Sequence, residues 1–222
     1  MNKAYKYRLY PNAEQATLIN KTFGCVRFIY NKMLTDRISV YEQYKDNKEE
    51  LYKQKYKLPA AFKGEYPWLK EVDSLALANA QLNLQRAYAN FFRDETVGFP
   101  KFKSKHHSKK SYTTNNQDDT IRLIDNQTIR LPKLKDVRIK LHRPLPEDVI
   151  IKSATISCTP TNKYYISVLL EYNAAIIPVE PTMNTVLGLD YSSGSLYVDS
   201  EGEPAEYPRF YRKAESKLKK EQ

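Results

Sequence analysis

Between Lys3 and Tyr10 the chain alternates, with Tyr5, Tyr7 and Leu9 on one side and Lys6, Arg8 and Tyr10 on the other. That period of two predicts a strand exposed on one face, ended by Pro11. Asn12 then stands three residues before Gln15, the spacing of a capping box, and Leu18, Thr22, Cys25, Ile29 and Met33 follow at intervals of three or four. An amphipathic helix to about Tyr41 is expected. Gly24 within it costs roughly 1 kcal/mol of helix propensity, which a close backbone contact with protein or nucleic acid would explain. Asp46 to Tyr66 is charged, rich in tyrosine and weakly periodic. Asp73 is the expected N-cap of a second helix, with Val72 and Leu77 placed as a hydrophobic staple and Leu77, Ala80, Leu84, Ala87 or Tyr88, and Phe91 as its apolar stripe. The opposite face carries Ser74, Asn79, Gln81, Asn83, Gln85 and Arg86. Such a face either is solvated or reads base edges and sugar.

Gly98 and Pro100 break the helical pattern, and beyond Thr120 the alternation is that of strands. Ile121 and Leu123 pair back through a DNQ turn onto Ile129 and Leu131; Val137, Ile139 and Leu141 form another strand. Ile156 and Cys158 turn at Pro160 to Lys163 into Ile166, Val168 and Leu170. With the opening segment these strands predict a small barrel or curled sheet, the helices from 12 to about 93 being inserted after its first strand. Two prolines and lost alternation mark Ala174 to Asn184 as a linker. Val186 to Asp190 and Leu196 to Asp199 then read as two strands, with a third near Ala205 to Tyr207.

Charge changes the picture. Among 222 residues, 36 Lys and Arg against 26 Asp and Glu leave a net charge of +10, with a pI near 9.3, which favours a polyanionic partner, nucleic acid or an anionic membrane surface, nucleic acid being the commoner. Many of the 18 tyrosines sit beside Lys or Arg, and rings with cations suit bases and phosphates. No apolar run approaches the roughly 20 residues of a spanning helix, and the N-terminus lacks the apolar core of a signal peptide, so a cytoplasmic protein is expected. Cys25 and Cys158 are far apart and form no metal-binding pair; both read as buried, inert thiols.

The densest basic run, VGFPKFKSKHHSKKSYTT, gathers Lys101, Lys103, Lys105, Lys109 and Lys110 around Phe99 and Phe102 and is expected to contact phosphate. The adjacent His106 and His107 lack companions at metal-ligand spacing. Asp190 ends an apolar strand and is followed by a Ser/Gly bend. From the residues alone it is either a strand-end acid or the first carboxylate of an RNase H-like nuclease. Such a site needs several carboxylates to hold two cations about 4 Å apart. Asp199 and Glu203, in a turn-forming context, read as solvated hairpin residues.

Taken in order, KYRLYPNAEQATLINKTFGCVRFIYNKML, WLKEVDSLALANAQLNLQRAYANFFR, GFPKFKSK, RLPKL and VLGLDYSSGSLYVDSEG resemble the TnpB (OrfB) family, transposon-encoded RNA-guided DNA endonucleases related to type V CRISPR effectors. The resemblance runs through essentially the whole chain. It implies an α+β architecture: a wedge-type β-barrel (residues 1–11 and 96–176) with an inserted helical recognition bundle (12–95), a linker (177–184), and the start of an RNase H-like (RuvC) domain (185–222). It makes Asp190 the first RuvC carboxylate, catalytic and a Mg²⁺ ligand. Ser74, Asn79 and Gln81 would lie on the helix facing the target-adjacent duplex. Ser111, Tyr112, Thr113 and Thr114 would lie on a nearby strand, and GFPKFKSK would be a backbone-contacting loop. Guide RNA and double-stranded target DNA are the implied partners, in a prokaryotic, nucleoid-associated setting. Family members continue beyond this point with a further Glu, a paired-cysteine zinc insertion and a final Asp, so the chain reads as C-terminally truncated, with no zinc site of its own. It would then bind nucleic acid and need a second polypeptide to complete RuvC, act as a catalytically dead repressor or decoy, or be a non-functional remnant.

Overall fold

The first strand, β1 (Asn2–Tyr10), buries Tyr5, Tyr7 and Leu9 and turns Lys6, Arg8 and Tyr10 outward, as its alternation requires. A computed structural model describes residues 1–146, 148–172, 180–182, 185–206 and 208–221, in two units, Met1–Ala174 and Ala175–Gln222.

Helix α1 (Ala13–Tyr44) starts at the expected capping box: Asn12 Oδ1 accepts from the Gln15 amide at 2.8 Å, and Gln15 Oε1 accepts from the Asn12 amide at 3.0 Å. It runs one turn further than the periodicity indicates. The weakly periodic stretch folds into two short helices, α2 (Lys48–Lys53) and α3 (Phe62–Glu65), and a 3-10 turn at Pro67–Lys70. Phe62 and Leu69 anchor it by full burial. Helix α4 (Ser74–Arg93) begins at Asp73, whose Oδ1 accepts from the Leu75 amide at 3.1 Å, and buries Ala76, Leu77, Ala80 and Leu84. A Cβ built at Gly24 meets nothing within 4 Å, so the expected close contact with the rest of the protein is absent.

Seven antiparallel strands make one sheet in the order β2-β6-β7-β1-β5-β4-β3. They are β2 (Ser111–Asn115), β3 (Arg122–Asp125), β4 (Thr128–Leu131), β5 (Lys135–Lys140), β6 (Ile150–Cys158) and β7 (Tyr164–Glu171) with β1. β1 sits inside the sheet, pairing with β7 from Asn2 to Leu9 and with β5 from Arg8 to Tyr10. The helices are thus an insertion between a central strand and its partners. The β6–β7 turn places Asn162 at φ 56°, a left-handed conformation that asparagine tolerates.

The hydrogen-bonded order has two ends, β2 and β3, so the expected closed barrel is not seen in the strand pairing. Between those ends stands a side chain. Asn116 Oδ1 accepts from the Ile121 amide at 2.8 Å, while its Nδ2 donates to the Ile121 carbonyl at 3.1 Å and to that of Ile151 at 2.9 Å. One amide replaces a strand rung at this corner and satisfies backbone groups that burial would otherwise strand.

In the second unit, β8 (Leu189–Asp190) and β9 (Val198–Asp199) form a two-stranded ribbon, followed by α5 (Phe210–Glu221). The expected third strand is reduced to a bridge between Val198 and Pro204; Tyr207 lies outside the described residues, as does most of the linker. An RNase H-like domain is not shown by these elements. No helix among the described residues is long and apolar enough to cross a membrane.

Candidate nucleic-acid interface

Three segments distant in sequence meet at the β2 edge. α1 brings Phe23, Val26 and Arg27, α4 brings Asn83, and the basic run brings Lys103, Ser108, Lys109 and Lys110 against Ser111, Tyr112 and Thr113 of β2, enclosing a groove of about 170 Å³. None of these lining residues is acidic. Phe23 packs on Tyr112 with ring centroids 5.7 Å apart, which fixes the floor.

The basic run is held by its backbone. Asn31 of α1 donates Nδ2 to the Lys103 carbonyl and accepts the Lys103 amide on Oδ1, both at 2.8 Å. The Lys103 ammonium lies 4.1 Å from the centre of the Tyr30 ring, and its burial lowers the pKa below the ordinary lysine value. Lys109 and Lys110 are exposed, and the Lys110 carbonyl accepts from the Cys158 amide at 3.0 Å, so the two ammonium groups leave from an anchored backbone.

The expected contact residues divide. Lys103, Lys109, Lys110, Ser111, Tyr112 and Thr113 line the groove, whereas Lys101 and Lys105 are exposed on the same run outside it. Tyr112 and Thr114 alternate into the interior. The Thr114 hydroxyl donates to Asp73 Oδ2, and burial, with Asp73 adding to it, pushes the Tyr112 phenol far up. Thr114 is therefore corrected from a contact residue to a buried link between β2 and the N-cap of α4. Tyr112 likewise serves as floor, its hydroxyl withheld from solvent. Ser74 accepts from Lys63 Nζ at 2.7 Å, and Asn79 Nδ2 donates to the Leu75 carbonyl at 2.9 Å and to Asn115 Oδ1 at 3.4 Å. Gln81 is half-buried on α4. Asn83 belongs to the polar α4 face that the sequence offered either as solvated or as a reader of base edges and sugar, whereas Arg27 was not among the expected contacts. Arg27 stands four residues after Phe23 and three before Tyr30, a cation at the rim of an aromatic stripe, and that spacing is the signal that finds it.

In the second unit, Asp190 is exposed and pairs in register with Val198, while Asp199 pairs with Leu189. Neighbouring residues of a strand point to opposite faces, so the pleat separates the two acids. Asp199 Oδ1 already accepts from the amides of Glu201 and Glu203, both at 2.9 Å, the turn role expected of it. Among the described residues no three His, Cys, Asp or Glu side chains converge. These residues do not fit the two-cation centre that an endonuclease family implies, and no metal-dependent step follows from them.

A family model described as "Helix-turn-helix domain", of the OrfB type, matches residues 1–46. Those residues fold here as β1 and one unbroken helix. The chain is 33% identical over 225 residues to a "Putative RNA-guided DNA endonuclease" of Streptomyces pristinaespiralis, covering all of this chain and 54% of that protein. It is 29% identical over 225 residues to "Putative RNA-guided DNA endonuclease InsQ" of Escherichia coli, covering 97% of this chain and 52% of that one. It is also 39% identical over 114 residues to "Virulence protein VsdF" of Salmonella dublin, covering 48% of this chain and 96% of the relative. The chain belongs to the TnpB (OrfB) family. It spans about half the length of the two endonuclease relatives.

Proposed function

We propose that the Met1–Ala174 unit is the nucleic-acid-holding part of an RNA-guided, transposon-associated DNA endonuclease, gripping guide RNA and the target DNA. The observation that carries this reading is the acid-free groove, where Arg27, Lys103, Lys109 and Lys110 converge beside Asn83 from elements far apart in sequence. Cations placed this way neutralise phosphates and release counterions. In this reading the seven-stranded sheet is the wedge, residues 12–95 are the recognition bundle, and residues 96–176 complete the wedge. Ser74, Asn79, Gln81, Ser111 and Thr113 border the target duplex. Residues 185–222 open a RuvC domain in which Asp190 supplies one Mg²⁺ ligand, the others coming from outside the described residues.

A second reading, binding by these 222 residues without cleavage, is supported by the pleat that keeps Asp190 and Asp199 on opposite faces. Fluorescence anisotropy with labelled RNA and duplex DNA across a salt series tests the first reading. Affinity should fall steeply with salt, and Lys109→Gln with Lys110→Gln should reduce the log–log slope on duplex by roughly 1.8, about 0.9 for each phosphate lost. Salt-independent binding would sink it. Mg²⁺-dependent DNA cleavage that disappears in Asp190→Ala would overturn the second.

A further inference from the structure

The outward residues of β1 meet their counterparts on β5 and β7 in a single-sign patch. Register sets Lys140 opposite Arg8 and Arg138 opposite Tyr10 on β5, and Tyr165 opposite Arg8 on β7. The Arg8 guanidinium lies 5.0 Å from the Tyr165 ring and 5.5 Å from the Tyr10 ring. Lys6 lies 4.8 Å from Tyr165, and Arg138 lies 5.9 Å from Tyr10. Asp136, which shares this face, is taken up by Arg130 through two bonds of 2.7 Å. Glu171, at the far end of β7, pairs with Lys152. Among the described residues no carboxylate pairs with Lys6, Arg8, Arg138 or Lys140.

Like charges directly across neighbouring strands repel, and a polyanion laid on this face relieves that cost. The patch also carries a hollow. Tyr10 is 48% exposed, and beside it the surface sinks into a space of about 570 Å³ lined with Gln127, Arg138 and Lys140, within the size range of small-ligand sites.

We propose that this face binds a single-stranded segment of nucleic acid, with one base against Tyr10 in the hollow and the flanking phosphates on Arg8, Arg138 and Lys140. The rings decide for a single strand, because a duplex base has both faces stacked on its neighbours and offers none to a side chain. The patch is centred three strand positions from β2, roughly 14 Å at ordinary strand spacing, so it is separate from the groove. It rests on the nucleic-acid reading above and adds a second contact surface with its own class of partner.

The test uses the 222-residue chain with a labelled 15-nucleotide oligouridylate and a labelled 15-base-pair duplex, by anisotropy over a salt series. Tyr10→Ala should weaken the oligouridylate about tenfold and the duplex less than twofold, with Tyr10→Phe restoring wild-type binding. Arg138→Gln with Lys140→Gln should cut the single-strand salt slope by about 1.4, about 0.7 per phosphate, with no fall in thermal midpoint, because repulsion is removed. If these variants bind oligouridylate like wild type while the Lys109 and Lys110 variant weakens the duplex, the face proposal is wrong and the groove reading stands. If the unmodified chain binds neither probe, both are wrong. Loss of binding to vesicles rich in phosphatidylserine, with oligouridylate binding intact, would overturn the proposal in favour of a membrane surface.

Discussion

At the scale of single residues, the side chain that ties the fold to the candidate site is Asp73. One carboxylate oxygen caps α4 through Leu75 and the other accepts from the buried Thr114 hydroxyl. Asp73→Ala loses a cap, worth about 1 kcal/mol, and leaves a buried hydroxyl unpaired at a further 1–3 kcal/mol or so. Urea unfolding should show a loss of about 2–4 kcal/mol, with Thr114→Val recovering part of it in the double variant. Cys25 sets a pH dependence. Burial first, then the nearby Glu71 carboxylate, raises its thiol from 9.0 to about 11. A folded-state pKa above the unfolded one means the unfolded chain gives up its proton first, so this contribution is full below pH 9 and is lost as pH rises to about 11. Stability should fall over that window by on the order of 1 kcal/mol more in the wild type than in Cys25→Ala, measured by urea midpoints at pH 8.5 and pH 10.5. The cap at Asp73 was legible because it depends on neighbours in sequence. Its bond to Thr114 was not, because the partners stand 41 residues apart and a polar residue on a β-strand carries no mark of which face it takes until a register exists.

Among the elements, those with a strong period were readable and those fixed by distant contacts were not. The capping box placed the start of α1, and the alternation of Tyr5, Tyr7 and Leu9 placed β1. By contrast α2 and α3 have too few turns for a stripe, and β2 is masked by the basic run that precedes it. The corner at Asn116 was equally hidden, since an asparagine that replaces a strand rung looks like any turn residue. Asn116→Ala removes three hydrogen bonds to buried backbone at the sheet's open edge and should cost about 2–4 kcal/mol, with faster amide exchange at Ile121 reporting that the loss is local. Gly24 illustrates the reverse error: propensity alone pointed to a close contact, and open space surrounds its Cβ position. Gly24→Ala should therefore stabilise the chain by about 1 kcal/mol in thermal or urea unfolding. A simultaneous loss of nucleic-acid affinity would place a ligand backbone in that space.

For the whole molecule, the surplus of cations pointed to a polyanion from the composition, but where they gather depends on the sheet order, which brings residues near 27, 103 and 110 to one edge and residues 8, 138 and 140 to one face. The family match at residues 1–46 carries a helix-turn-helix description, yet those residues fold as a strand and a single helix, so a recognition helix cannot be assumed within them. The two units also differ in how they hold together. Among the described residues, every member of the buried apolar core lies in Met1–Ala174, whereas Val186, Leu187, Leu189, Tyr191, Leu196, Phe210, Tyr211 and Leu218 of the second unit are exposed. The slope of unfolding against denaturant follows the surface newly exposed. A chain ending at Ala174 should therefore unfold in urea with the same midpoint and a slope within about 10–15% of the full chain's, and should bind less of a dye that reports exposed apolar surface. A slope reduced in proportion to the residues removed would mean instead that the second unit, which carries Asp190 on β8, buries a substantial apolar surface that unfolding exposes.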